Sequence, residues 1–145
     1  MDLRVEKTKG SIVNAFLSLR AKKPLEKITV KELCQLARIN KSTFYTHYSD
    51  IFALSHALEG EVVVAILADI PHPERIFDNT EEFTRDLYRS CNARSAMIQT
   101  LFSGSREGRL IETLEGGLKE LAFQRRPEYR QDPASHIVLS FVIYG

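Results

Sequence analysis

Apolar residues recur at helical spacing along almost the whole chain, and proline-bearing stretches, not the alternation of strands, separate the runs. Val5, Ile12, Phe16 and Leu19 follow steps of seven, four and three, which predicts one face of a helix over Leu3 to Ala21 that ends before Pro24. A chain patterned in this way has an all-α fold as its natural solution, because each striped helix must bury its apolar side against another helix. The prolines and glycines then set where the helices stop.

Ile28 leads into Thr29-Val30-Lys31-Glu32, a capping box: the Thr29 side chain accepts from a free helical N–H while Glu32 reaches back to the N-cap. A short helix from Val30 to Ala37 is expected, with Val30, Leu33 and Ala37 inward and Cys34 beside them. Arg38-Ile39 forms a tight connection, and Asn40 is a good N-cap for a second short helix, Lys41 to His47. Phe44 and Tyr48 share one face of it, leaving Ser42, Thr43 and Thr46 largely elsewhere. Asp50 is expected to cap a fourth helix that carries Ile51, Leu54, Leu58, Val62 and Ala65 to about Asp69, closed by Pro71 and Pro73.

Two short helices joined by a tight turn, after a longer supporting helix, are the parts of a helix-turn-helix. Its second helix must enter a groove about 12 Å wide, so small polar or basic residues are needed on its outer face. Asn40, Lys41, Ser42, Thr43, Tyr45, Thr46 and His47 meet that need, Phe44 pins the helix to the core, and Thr29 sits at a helix N-terminus suited to a phosphate. Charge supports the same division. Residues 1–50 hold ten Lys and Arg against five Asp and Glu, a net +5, whereas residues 51–145 hold ten against 14, a net −4. A basic N-terminal unit over an acidic remainder suits a polyanion at one end only.

The run from Ile28 to Tyr48, with Ala15-Phe16 on the preceding helix, resembles the head of TetR/AcrR-family transcriptional regulators: I-T-V, a short helix ending in Ala, a turn, then a polar-T-[LF]-Y-x-[HY]-[FY] helix. The resemblance covers roughly residues 5 to 60. It implies a three-helix, homeodomain-like helix-turn-helix head over residues 1–48 (motif 29–48). A fourth helix would join that head to an α-helical regulatory and dimerisation body over residues 49–145. It implies a DNA-binding regulator, in this family more often a repressor, that binds a near-palindromic operator in double-stranded DNA as a homodimer and is released by a small-molecule effector. Thr29, Lys41, Ser42, Thr43, Tyr45, Thr46 and His47 fall where members of the family touch DNA. Arg38 stands where a glycine is common, which forces that residue towards a left-handed conformation or adds a phosphate contact. Ile51 stands where many members place a lysine, so one backbone anchor is lost.

Beyond Pro73, Asn79 or Thr80 is expected to cap one long helix carrying Phe83, Leu87, Cys91, Ile98 and Leu101. Ser103 to Gly108 reads as a break, since the GxxxxGK[ST] pattern of a phosphate loop is missing. Leu110, Leu114, Leu118 and Leu121 mark another helix, ended by Pro127. Pro133 suits the first turn of a last helix to Tyr144 that is apolar nearly all round, so several of its sides should be buried. An apolar helix that runs straight into Gly145 leads us to expect a continuation, with the family's dimerisation helices only begun here. Leu58, Val62, Phe83, Leu87, Met97, Ile98 and Phe102 are the residues that would line an effector pocket, although at their spacing they read first as core.

Cys34 and Cys91 stand alone, giving neither a disulfide framework nor a metal pair, which suits a reducing cytoplasm. The start lacks a secretory apolar region, and no uninterrupted apolar stretch of membrane-spanning length occurs. His56, His72 and His136 lack metal-ligand spacing. No Ser/His/Asp or Cys/His set has supporting context, and Ser55 and His56 point different ways on one helix, so neither enzyme activity nor a cofactor is expected. Two other readings remain open on the residues alone: a protein-interaction adaptor with a vestigial DNA-binding head, and an unrelated homeodomain-like module such as a recombinase head.

Overall fold

The computed structural model describes residues 2–144 and is helical throughout, with nine α-helices and three short 3-10 turns among the described residues. The helices are α1 (Leu3–Arg20), α2 (Val30–Ala37), α3 (Lys41–His47), α4 (Ile51–Ala68), α5 (Arg75–Asp78), α6 (Thr80–Ala93), α7 (Ser95–Leu101), α8 (Arg109–Arg125) and α9 (Pro133–Tyr144). Local chemistry accounts for most of the starts. Asp2, Thr29, Asn40, Asp50 and Asn79 each accept a backbone N–H of the first turn, satisfying donors that a helix leaves open.

One cluster of buried side chains runs through the molecule from Ile12 to Leu139. Ile12 and Phe16 of α1 meet Leu33 of α2, Phe44 of α3 and Leu54 of α4 at one end of it. Ile66, Ile76, Phe83, Leu118 and Leu139 extend it towards the later helices. Helix α4 is the element that joins the two ends, and it packs on α6, α7 and α8. At Gly117 α8 lies so close to α4 that an added Cβ would stand 2.5 Å from Leu67 Cδ1. By length and composition α4 is apolar enough to cross a membrane, with a mean hydropathy of 1.8. Eight of its residues, from Ile51 to Ile66, are nevertheless covered by the rest of the chain.

Four expectations need correction. The long helix drawn through Cys91 and Ile98 is two helices, because Arg94 leaves helical geometry at φ −116° and turns its guanidinium back to Asp69 and Ser90. A further turn of helix, α5, forms after Pro73 and buries Ile76. Val5 does not share the buried stripe of α1: it is 42% exposed, since the first two turns of α1 project beyond anything they could pack on. The last helix buries Ser135 and Leu139 but leaves Ile137 and Val138 open, because only the side towards α5 and α8 is covered. The side chains of residues 141–144, where that apolar run ends, and Gly145 lie outside the described residues.

Candidate nucleic-acid interface

Segment 29–48 is shaped by its caps. Glu32 N–H donates to Thr29 Oγ1 at 3.1 Å and Glu32 Oε1 accepts from Thr29 N at 2.9 Å, so the capping box is closed. Lys23 Nζ also reaches Glu32, at 2.6 Å, and that ion pair together with the cap holds the Glu32 carboxyl below the usual carboxylate range. The Thr29 N–H is therefore occupied. Its hydroxyl serves the cap as an acceptor, which leaves the hydroxyl hydrogen for a phosphate.

The turn between α2 and α3 is Arg38-Ile39-Asn40, and Arg38 adopts φ 58°, ψ 47°. This is the left-handed conformation expected from its place in the turn, and it costs a side-chain-bearing residue about 1–2 kcal/mol. Arg38→Gly is accordingly expected to raise the urea midpoint by the equivalent of about 0.5–1 kcal/mol, part of the relief being offset by glycine's freedom in the unfolded chain. A lowered midpoint would contradict this. If the exposed guanidinium also meets a phosphate, the same variant binds duplex DNA more weakly while being more stable.

Asn40 organises the start of α3. Its Oδ1 accepts from Thr43 N, Thr43 Oγ1 and Ser42 Oγ, each at 2.8 Å. Thr46 Oγ1 donates to Ser42 O at 2.9 Å. The hydroxyl hydrogens of Ser42, Thr43 and Thr46 are thus already committed, and these residues are left with lone pairs to offer as acceptors. The Asn40 Nδ2 group keeps both of its hydrogens. Lys41 and Tyr45 stand out from the surface without an ion pair or side-chain hydrogen bond among the described residues. The Tyr45 ring is held edge-on by Phe44, 5.4 Å between centroids. His47 is half-buried against Tyr48. Burial, with Glu61 nearby, pushes the Tyr48 phenol up, so it stays a neutral donor.

Phe44 is fully buried and is the only residue of α3 that is. Helix α3 therefore sits on one anchor with its other faces outward, so Asn40, Lys41, Ser42, Tyr45 and Thr46 share an exposed surface. The charge of residues 22–50 is mainly basic. Lys22, Lys27, Lys31, Arg38 and Lys41 are exposed and make no ion pair among the described residues, whereas Glu26, Glu32 and Asp50 are engaged with Ser105, Lys23 and the α4 cap. Ile51 is a core residue, 5% exposed, so the place of a basic anchor is taken by a side chain that has no polar tip to extend. The outward position at the start of α4 belongs to Phe52.

The helical spacing did not reveal what holds this surface to the rest of the chain. Arg20 is buried at the end of α1, and its guanidinium donates to Leu101 O at 3.3 Å, Ser103 O at 3.0 Å and Lys23 O at 3.4 Å. Ser105 bonds Glu26. Arg106 donates to both oxygens of Glu59, at 3.0 and 2.7 Å, and Ser55 adds a third bond at 2.6 Å. The stretch Ser103–Arg106, read from the sequence as a simple break, is thus a clasp between α1, the turn after it and α4. Two signals were available: Arg20 continues the Ile12-Phe16 steps of four, and Glu59 stands four residues after Ser55 on a helix otherwise apolar on that side.

Of the seven residues named for an effector pocket, Leu58, Val62 and Met97 line a cleft beside α1, while Phe83 and Phe102 are buried in the core. His56 is exposed and Ser55 buried, so that pair is not brought together. No three His, Cys, Asp or Glu side chains are grouped to hold a metal among the described residues. Comparison with protein-family models, curated proteins and solved structures gives no match for this chain.

Proposed function

We propose that the chain is a DNA-binding transcriptional regulator of the TetR/AcrR type, most simply a repressor. In this reading α1–α3 form a helix-turn-helix head, α3 lies in the major groove, and residues 49–145 form the regulatory and dimerisation body. The observation that carries it is α3 itself: one buried aromatic anchor beneath an exposed face of Asn40, Lys41, Ser42, Tyr45 and Thr46, in a segment where Lys22, Lys27, Lys31 and Arg38 are also exposed and make no ion pair among the described residues. Two such heads in a homodimer would read the halves of a near-palindromic operator. A small effector in the body would change their spacing through α4.

Within this reading the residues divide by chemistry. Lys41, Arg38, Tyr45 and Thr29 are phosphate donors, which set register without reading sequence. Asn40 Nδ2 donates to base edges, and the committed hydroxyls of Ser42 and Thr43 accept from exposed base amino groups such as adenine N6 or cytosine N4. Lys41→Ala and Tyr45→Ala should each weaken every duplex alike, by about 1–3 kcal/mol for an interaction with a charged group, as measured by fluorescence anisotropy. A loss confined to one base position would sink the phosphate assignment. Absence of any gel shift on genomic fragments at low salt would favour the adaptor reading instead.

A further inference from the structure

The side-chain amide of Asn40 can lie only one way round. Its Oδ1 sits 2.8 Å from Thr43 N, Thr43 Oγ1 and Ser42 Oγ. A backbone N–H can only donate, so the amide atom that meets it is the oxygen, and the Nδ2 end is left over. Asn40 is exposed, and its Nδ2 donates to no acceptor among the described residues.

This state decides what the amide can read. An asparagine in the major groove ordinarily pairs with adenine, accepting from N6 through its oxygen while donating to N7. Three donors already crowd the Asn40 oxygen, so that pairing is closed and the side chain meets DNA as a pure donor. Ser42, also exposed, is its opposite: its hydroxyl hydrogen is spent on Asn40, so towards DNA it can only accept. A donor and an acceptor therefore stand side by side on the exposed face of α3. Both G·C and T·A present an acceptor next to a donor at the middle of the major-groove edge. Guanine adds N7, a further acceptor, beside O6, where thymine carries its methyl group, so an amide with two hydrogens favours guanine. A·T and C·G, read in the same direction, set donor against donor.

We infer that Asn40 and Ser42 together read a single G·C pair in each half-site, with Asn40 Nδ2 donating to guanine O6 and Ser42 Oγ accepting from cytosine N4. The inference rests on the proposed DNA-binding role and adds to it the base pair that this end of α3 selects.

The whole chain should select, from a random duplex library, sites in which one position is G·C. Anisotropy on the selected duplex should show the other three pairs at that position to be weaker by about tenfold, the worth of one good base contact. Asn40→Asp keeps a capping oxygen and should leave the urea midpoint unchanged, yet it replaces the donor by an acceptor. The guanine preference should then disappear. The added charge weakens every duplex alike, so the ranking of bases and not the affinity is the readout. Ser42→Ala adds no charge and should shrink the same preference at the same position, which keeps the test open if Asn40→Asp binds too weakly to be ranked. Variants that bind with the base ranking of the unchanged chain overturn the inference and leave the DNA-binding role standing. Failure of the unchanged chain to bind any duplex at low salt overturns both.

Discussion

Phe44→Ala is expected to unfold the α2–α3 region and lower overall stability by about 3–5 kcal/mol, the usual cost of emptying a fully buried phenylalanine site. Domains of this size hold about 5–15 kcal/mol in total, so the change removes a large fraction of it. The expectation follows from the shape of α3. Its seven residues are too few to hold a helix alone, and Phe44 is the one side chain among them that is buried. The ring also braces Tyr45 edge-on and lies 6.0 Å from Tyr48, so its loss frees the exposed face along with the anchor. Circular dichroism in urea should report an earlier midpoint for Phe44→Ala, with Phe44→Leu costing less than about 1.5 kcal/mol because volume is largely kept. An unchanged midpoint for Phe44→Ala would mean that α3 is held by something other than this packing.

Arg106→Met should be nearly as damaging, at about 3–5 kcal/mol, because it strands the Glu59 carboxylate, which is 4% exposed, with Ser55 as its remaining donor. The contrasting variant is the double replacement Glu59→Met with Arg106→Met. Removing both charges together takes away the desolvation cost as well as the attraction, and such exchanges are often neutral or stabilising. The pair thus separates what the clasp contributes to stability from what it contributes to position. If the double variant is stable yet its α1–α3 region is loosened, as hydrogen exchange of the α1–α3 amides would report, the ion pair serves to orient. Full tolerance of Arg106→Met alone would contradict the buried geometry seen at Glu59.

The most legible parts of the fold were those set by neighbours in sequence. The bounds of α2 and α3 follow from Thr29, Glu32 and Asn40, whose side chains bond backbone groups three residues away. The left-handed turn at Arg38 was one of two readings suggested by the glycine common there in the family the chain resembles, and it is found. Features that depend on distant partners were not. The break at Arg94 is met by Asp69, just past the end of α4, and the exposure of Val5 reflects a partner that α1 lacks at that end. Arg20 and Glu59 were missed because a periodic reading treats charged residues as surface, whereas these two are buried among carbonyls and an arginine. For the candidate site, the identity of the exposed residues was readable, but not their hydrogen-bond state. Only the folded geometry places Ser42 and Thr43 on Asn40, which leaves their hydroxyls as acceptors.

The central claim is that the surface of α3 meets duplex DNA, and its salt dependence is the most direct test. Anisotropy titrations of the whole chain on labelled random-sequence duplexes, from about 50 to 200 mM salt, should give log K falling linearly with log salt. Each phosphate contact contributes about −0.9 to that slope, so Lys41→Ala should make it shallower by about one unit. No binding at the low-salt end, or a slope that Lys41→Ala leaves unchanged, would contradict the assignment of this face to DNA.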